Sequence, residues 1–280
     1  MRILAFSDVA NWNPYRALVD RWNPAVIALA GDLTSDGTAE FWDTALEAIP
    51  AFRRGMDALR RRLGVTTSPT EGYDIIPRTS VDEFRQARWS LEHRHRNTRA
   101  FQLARKKLHV NKFYAFLRYA GKQATVLVVK GDHDDDFAGD YDSRKINSIP
   151  GCYEISGKTY SVNRLTFLGL GFAQAGYRRP LRQLVLEQKG KVDIVIAHAP
   201  QKNVRIVADL EPRLLIRGHF GGGRHLIDQV PSVFTAGGDA IIDTRRKGHP
   251  RIRFFQEDPC EPTWEQLLRK DYPWLSPYPV

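Results

Sequence analysis

The chain has 280 residues, of which 42% are hydrophobic, and its Lys and Arg residues outnumber Asp and Glu by 42 to 32, a formal net charge of +10. This length and apolar content suffice for a full hydrophobic core, in one large domain or two modest ones. No apolar stretch approaches the length of a membrane span, and the N-terminus MRILAFSDVA lacks the layout of a secretory signal. The two cysteines, Cys152 and Cys260, form neither a disulfide framework nor a spaced metal pair. We therefore expect a cytoplasmic protein with reduced thiols.

The basic excess is confined to one segment. Residues 51–122 contain 17 Lys and Arg against 6 Asp and Glu, while the rest of the chain contains 25 against 26. A basic block in an otherwise neutral chain indicates a local surface for a polyanion.

The first elements predict a parallel sheet. Residues 2–7 (RILAFS) form a short apolar strand, and residues 14–22 (PYRALVDRW) have apolar positions at helical spacing. The run PAVIALAGD is a second buried strand that ends in Gly31 and Asp32. A strand, a helix and a strand within about thirty residues make a βαβ unit.

The segment 39–122 interrupts this alternation. It begins with a helix that Pro50 can bend, continues through a loop, and ends in a long helical stretch from Val81 to Gly121. We predict a basic helical insertion, or cap, at 39–122 within a single domain that covers 1–280.

The remaining elements continue the α/β pattern. The run QATVLVVKGDHD is a third strand, and the residues from 151 to 172 resemble short antiparallel strands. A helix closed by Gly190 and two buried strands, VDIVIAHAP and RLLIRGH, come next. Two closing strands and a short helix in the tail complete the predicted elements.

Carboxylates and histidines follow five of the apolar strands. Because ligands gather at the carboxyl ends of strands in open α/β sheets, these side chains are expected to meet at one rim and bind metal. The residues are Asp8, Asp32, Asp132 with His133, His198, and His219.

The order of these motifs resembles that of the calcineurin-like metallophosphoesterases, whose pattern runs D-x-H, G-D, G-N-H-D/E, H and G-H-x-H. The resemblance extends from Ser7 to His219, with the basic insertion between the second and third motifs. It implies an α/β fold of two sheets in a sandwich flanked by helices, and a site for two metals. It also implies hydrolysis of phosphomonoesters, phosphodiesters or nucleic acids.

The resemblance assigns roles to the motif residues. It implies that Asp32 bridges two metals and that Asp8 serves the first. The second metal would be completed by three further ligands, namely Asp132, His198 and His219.

The motif Gly131-Asp132-His133-Asp134 supplies the remaining role. The resemblance implies that His133, held by Asp134, is the general acid or a partner of the transition state. The following carboxylates, Asp135 and Asp136, are interpreted as solvated loop charges.

Two histidines of the pattern are absent. Asp8-Val9-Ala10 stands in place of D-x-H, and Gly218-His219-Phe220-Gly221 in place of G-H-x-H. Both missing residues would serve the first metal, whereas the second site keeps its positions with Asp132 in place of Asn. We expect one firmly held divalent ion (Mn, Mg, Fe or Zn) and leave a second open. The candidate substitutes for the missing histidines are Asn11, Asn13 and His225.

The basic insertion has two interpretations. Its helices are either an ordinary solvated surface or a binding surface for an anionic partner, and its aromatic residues either stack on bases or pack onto the core. The aromatic residues are Phe84, Trp89, Phe101, Phe113 and Tyr114. The candidate substrate-binding residues are Arg94, Arg96, Arg99 and His225.

The sequence thus predicts a metal-dependent phosphoesterase, a hydrolase acting on a phosphodiester of nucleic acid or on a nucleotide. The alternative is a catalytically impaired relative that binds nucleic acid or a partner protein through the basic insertion. An acyl-chain substrate at a membrane is a weaker hypothesis, because the basic helices show no sustained apolar face.

Overall fold

In the computed structural model, the described residues are 1–9, 12, 14–34, 39–67, 74–219, 222–227, 230–235, 239–244 and 251–255. The candidate ligands Asn11 and Asn13, Cys260 and the helix predicted in the tail lie outside these residues.

The described residues form two six-stranded sheets, ten α-helices and a two-stranded ribbon, together with three short 3₁₀-helices and one π-helical turn. In spatial order, the first sheet consists of β14 (Arg251–Phe255), β13 (Asp239–Asp243), β1 (Arg2–Phe6), β2 (Val26–Ala30), β5 (Thr125–Val129) and β6 (Cys152–Glu154). The second consists of β11 (Gly222–Ile227), β12 (Val230–Thr235), β10 (Leu214–Gly218), β9 (Ile194–His198), β8 (Leu165–Leu170) and β7 (Thr159–Val162). The ribbon pairs β3 (Thr66–Thr67) with β4 (Asp74–Ile75). The helices are α1 (Tyr15–Trp22), α2 (Ala39–Glu47), α3 (Pro50–Leu63), α4 (Val81–Arg96), α5 (Arg99–Arg105), α6 (Asn111–Ala120), α7 (Ser143–Asn147), α8 (Phe172–Ala175), α9 (Arg178–Gln188) and α10 (Val204–Ala208).

Both sheets are mixed, and each has a parallel centre. In the first sheet β1, β2, β5 and β6 run parallel, and β13 and β14 extend it in antiparallel pairing. In the second sheet β12, β10, β9 and β8 run parallel between the antiparallel edge strands β11 and β7. Because the central strands are parallel, their carboxyl ends lie at one edge of each sheet.

The core between the sheets is built from alternate residues of the central strands. The inward-facing residues are fully or almost fully buried and form one cluster. They include Ile3, Ala5, Val26, Ala28, Leu127 and Val129 from the first sheet, and Ile194, Ile196, Leu214, Ile216 and Val233 from the second. The intervening residues are buried under helices, which explains why these strands are apolar throughout rather than alternating.

Helices cover the outer faces of both sheets. On the first sheet the ring centroid of Phe6 lies 4.3 Å from that of Tyr15 and 5.6 Å from that of Phe116, so α1 and α6 pack there. On the second sheet, Val195 and Leu215 join Leu181 of α9 and Val207 of α10 in a second buried cluster. The predicted α/β fold, a two-sheet sandwich flanked by helices, is therefore confirmed.

The chain divides into two compact units. One consists of residues 1–36 and 112–280 and contains both sheets, and the other consists of residues 37–111. The second unit covers most of the segment predicted as the basic insertion and contains α2 to α5. Pro50 begins α3 rather than bending one helix, because its fixed φ suits a first turn. None of the described helices is both long enough and apolar enough to cross a membrane.

Two predicted features of the second half are wrong. The strand β6 pairs in parallel with β5 rather than in an antiparallel set. The closing region has three strands rather than two, and the glycine-rich stretch before it is the edge strand β11. The strand begins with Gly222 and Gly223, and glycine hides a strand because it has no side chain to give an alternating pattern.

Candidate metal centre

Four polar side chains converge where strands of both sheets end. Asp32 follows β2 and Asp132 follows β5 in the first sheet, while His198 ends β9 and His219 follows β10 in the second. Each offers a ligand atom, and these atoms all lie within 4.8 Å of one another. We call these four residues the Asp/His group.

His198 is the fully buried centre of the Asp/His group. Its Nδ1 lies 2.7 Å from the carbonyl oxygen of Ala30, which can only accept, so Nδ1 donates. The other ring nitrogen, Nε2, then faces Asp132 Oδ1 at 2.8 Å and Asp32 Oδ2 at 3.3 Å. A histidine whose second nitrogen is fixed by a backbone carbonyl is typical of metal ligation, because that bond sets the tautomer and the ring orientation.

His219 completes the Asp/His group from the neighbouring strand. Its Nδ1 lies 3.1 Å from Asp132 Oδ1 and 3.1 Å from His198 Nε2. Two ring nitrogens and two carboxylates that point at one another need a positive charge between them, either protons or a cation.

Glycines before the carboxylates leave room for this convergence. A Cβ on Gly31 would lie 2.3 Å from His198 Nδ1, and a Cβ on Gly131 would lie 2.0 Å from Asp32 Oδ1. Neither position can hold a larger residue without moving a member of the Asp/His group. The glycine before each of these two aspartates in the sequence thus has a steric cause.

The backbone is strained at the same strand ends. Asp8, Asp32 and His219 have φ values of 53°, 55° and 89°, in the left-handed region that residues other than glycine seldom adopt. Such strain persists where the surroundings fix it, and it concentrates at functional sites.

Burial and mutual charge set the protonation of the Asp/His group. Burial raises the pKa of Asp32 to about 6, although His198 opposes the rise. Burial also disfavours ionisation of Asp132, but its bonds to His198 and His219 outweigh this and hold its pKa well below the usual range. For His198, burial disfavours the imidazolium, yet the bonds to Asp132 and Asp32 prevail and raise its pKa to about 11. Without another cation, a proton on His198 therefore balances the carboxylates.

Asp8 lies beside the Asp/His group but is not a member of it. Its Oδ2 accepts a hydrogen bond from the hydroxyl of Ser7 and another, at 3.3 Å, from the backbone N–H of His219. Ser7 is in turn bonded by Thr235 Oγ1 at 3.0 Å, so this buried chain links the two sheets. Asp8 thus bonds the backbone of His219, and its role as a ligand of a first metal stays a prediction.

The predicted pairing of His133 with Asp134 is wrong. Asp134 is buried, and its oxygens accept the backbone N–H groups of Gly131, Asp32, Leu33 and Thr34 at 2.8–3.1 Å, together with the Thr34 hydroxyl. It therefore fixes the loops after β2 and β5 and has no bond left for an imidazole.

Asp136 takes the place that was predicted for Asp134. Its Oδ2 lies 3.1 Å from His133 Nδ1, so this exposed loop carboxylate has a partner besides solvent, which the sequence analysis did not predict. The backbone N–H of His133 donates to Asp32 Oδ1 at 3.0 Å, which ties the residue to the Asp/His group. Burial lowers the pKa of His133, but the carboxylates of Asp32, Asp136 and Asp132 outweigh it and raise the pKa above its ordinary value.

Phe172 is a site residue that the sequence analysis missed. Its ring centroid lies 5.6 Å from that of His219 and 6.4 Å from that of His198, so it forms an apolar wall beside the Asp/His group. Only its position after the apolar strand LTFLGL could have indicated this, because an apolar side chain carries no ligand signal.

The predicted substrate-binding residues fall into different environments. Arg94 and Arg99 are exposed. Arg96 instead donates to Glu92 at 3.2 Å and stacks over Trp42 at 4.7 Å, so it holds helices of the 37–111 unit together. His225 is in β11 opposite Ser232, and its side chain lies outside the described residues.

The aromatic residues predicted for the insertion are also divided. Four of them, Phe84, Phe101, Phe113 and Tyr114, are buried in packed interiors. Trp89 alone of the five is exposed, at 65%.

Comparisons with known proteins show the fold and no more. The chain matches no family model, and no curated protein matches its sequence. One solved crystal structure is similar, with a TM-score of 0.51 and 14% identity over 92% of this chain and 99% of the other. The crystal structure of TT1561 of Thermus thermophilus has a TM-score of 0.49 and 13% identity over 91% of this chain and 98% of its own.

Proposed function

We propose that the protein is a metal-dependent phosphoesterase that resembles the calcineurin-like metallophosphoesterases and cleaves a phosphodiester of nucleic acid or a nucleotide. The observation that carries the proposal is the arrangement of His198. Its Nδ1 is fixed by Ala30, so its Nε2 points at Asp32, Asp132 and His219.

The donor set suits a divalent cation. Two carboxylates and two imidazoles are ligands for Mn, Fe or Zn, while Mg prefers oxygen alone. The four ligands would be Asp32, Asp132, His198 and His219, and the ion would take the place of the His198 proton as the balancing charge. When bound, such an ion neutralises charge on a phosphate group and lowers the pKa of a water.

His133 is the proposed general acid. It is only partly buried, and Asp136 beside its ring is one of the carboxylates that raise its pKa above the ordinary value, which favours the imidazolium that a general acid needs. The Nδ1–H group donates to Asp136 Oδ2, which orients the ring and leaves Nε2 as the atom that would give a proton to the leaving oxygen.

The test is hydrolysis of bis-p-nitrophenyl phosphate by the full chain, after chelation and reloading with Mn, Zn or Fe. We expect turnover that depends on the added metal and falls about 100-fold or more in His133→Ala, the usual size of a lost general acid. Asp135→Asn is the matched control, because Asp135 is exposed and pairs with Lys130 rather than with the Asp/His group. Metal-independent turnover, or full activity of His133→Ala, would contradict the proposal.

The alternative is a catalytically impaired protein that keeps the metal for structure and binds nucleic acid or a protein. The bonding of Asp8 favours it, because one of its two carboxylate oxygens accepts from both Ser7 and the backbone of His219. Metal binding that raises the unfolding temperature, with no turnover under any metal, would select this alternative.

A further inference from the structure

The helix α4 carries two kinds of arginine. Arg88 donates to Asp43 at 2.7 Å and to Glu92 at 2.7 Å, and Arg96 shares Glu92 while it stacks over Trp42. These two arginines are neutralised inside the 37–111 unit. They hold α4 to α2 and leave no net charge for an outside partner.

The opposite face of α4 is exposed from Arg85 to Asn97. Its residues recur at helical spacing and include no acidic side chain. They are Arg85, Gln86, Trp89, Ser90, His93, Arg94 and Asn97. We call this surface the α4 outer face.

The positive charge on the α4 outer face is only partly offset. Arg85 and Arg94 make no ion pair among the described residues, in contrast to Arg88 and Arg96. The two other acidic residues of α4 lie in its first turn, where Glu83 pairs with Arg62 at 3.0 Å and the exposed Asp82 precedes Arg85 by three residues. Asp82 offsets part of the charge of Arg85, whereas no acidic residue of the outer face lies within a turn of Arg94. The outer face therefore presents cations to an anionic partner.

An aromatic pair lies between the two exposed arginines. The ring of Trp89 stacks on that of His93 with centroids 5.3 Å apart and an interplanar angle of 14°. Trp89 is 65% exposed, although a tryptophan of this size is usually covered. The second stacked pair in this unit, Trp42 with Phe101, is different, because Phe101 is completely buried.

We propose that the α4 outer face binds single-stranded nucleic acid, with a base stacked on Trp89 and His93 and with phosphates held by Arg85 and Arg94. An exposed aromatic face between cations is what an unpaired base and its backbone require, and stacking of this kind tolerates any base. A duplex hides its base faces and would use only the cations. The proposal concerns the 37–111 unit and is independent of the metal centre.

The experiment measures binding of a fluorescein-labelled oligo-dT of about 15 nucleotides, a length within the range of known single-strand sites. The full chain is used with a chelator, so that hydrolysis cannot remove the probe and failure of the proposed function cannot affect the result. We expect Trp89→Ala to raise the Kd by about 5- to 150-fold, the range for one lost stacking contact, and Trp89→Phe to recover most of the affinity.

The charges are tested by salt dependence. Arg85→Gln with Arg94→Gln is expected to reduce the slope of log K against log salt by about 1.4, since each phosphate contact on a single strand contributes about 0.7. The matched control is Arg53→Gln with Arg54→Gln, which removes the same charge from exposed positions of α3 and is expected to change that slope much less.

Three results would overturn the proposal. The first is that the oligonucleotide does not bind at about 50 mM salt, where phosphate contacts are strong. The second is that Trp89→Ala binds it with the same affinity as the unaltered chain. The third is that the chain prefers duplex over single-stranded DNA. Because Trp89 is largely exposed, its variants are expected to unfold at the unaltered temperature, and a thermal melt checks this.

Discussion

The carboxylates of Asp32, Asp132 and Asp134 lie close together in space at the strand ends, and their surroundings differ. Asp134 is satisfied by four backbone N–H groups and a hydroxyl. Asp32 and Asp132 face the imidazoles of His198 and His219. Backbone donors cannot leave, so Asp134 is committed to the fold, whereas imidazole nitrogens can exchange a proton for a metal ion. These aspartates thus differ in their donors, because Asp134 has only donors that fix the loops, whereas Asp32 and Asp132 also face imidazoles that could share a metal ion with them.

The largest expected effect is on metal affinity in His198→Ala. This variant removes the ligand atom that all three other members of the Asp/His group face. We expect affinity for Mn or Zn to fall by more than about 100-fold, beyond the range for the loss of a residue that only orients a ligand. Calorimetric titration measures it, carried out well below the unfolding temperature of the variant. An unchanged Kd would remove His198 from the metal site.

Asp134→Asn is expected to lower the stability of the fold rather than the affinity for metal. An amide nitrogen in place of Oδ2 would face the N–H groups of Gly131 and Asp32, so two charge-assisted bonds are lost. We expect the free energy of unfolding to fall by about 3 kcal/mol, measured by urea denaturation of the metal-free protein. Asp135→Asn is the control, since its exposed ion pair contributes about 1 kcal/mol or less. If Asp134→Asn instead keeps the free energy of unfolding of the unaltered chain and loses the metal, the assignment of Asp134 to the fold is wrong.

Two variants of Asp8 test whether it supports His219 or binds the metal. Asp8→Asn keeps an acceptor for the His219 N–H and tolerates the left-handed backbone, whereas Asp8→Ala loses both advantages. If Asp8 only supports His219, we expect metal affinity to fall about tenfold in Asp8→Ala and to change little in Asp8→Asn. A large and equal loss in both variants would identify Asp8 as a ligand.

The smallest expected effect concerns His133. Asp136 is one of the carboxylates that raise the pKa of His133, so Asp136→Asn is expected to lower that pKa. The histidine ring signals are followed by NMR as the pH is varied, with Asp135→Asn as the control because Asp135 pairs with Lys130. A His133 pKa that is the same in Asp136→Asn and in the control would show that Asp136 does not act on the ring.

The sequence was sufficient for the parts of the fold that depend on local patterns. The apolar runs RILAF, VIALA, TVLVV and IVIAH are all strands, because burial on both faces leaves no position for polar residues. The order of the motifs placed Asp32, Asp132, His198 and His219 at strand ends, and the structure brings these four together.

The long-range contacts could not be predicted from the sequence. The donors that surround Asp134 come mainly from the loop around Asp32, about a hundred positions earlier in the chain, and no spacing rule connects them. The choice between Asp134 and Asp136 as partner of His133 depends on a 3₁₀ turn, His133–Asp135, which brings residue i+3 under the ring. The exposure of Trp89 among buried aromatic residues likewise depends on which face of α4 meets the rest of its unit.

If Asp32, Asp132, His198 and His219 together hold one divalent ion, the ion stays with the chain through gel filtration and can be counted there. The purified full chain is loaded with Zn or Mn, passed through the column and measured by mass spectrometry, beside the double variant Asp132→Ala with His219→Ala. We expect about one ion per chain for the unaltered protein and none for the double variant, as removal of two ligands leaves too few donors. No ion in the unaltered chain, or the same content in both, would contradict the account.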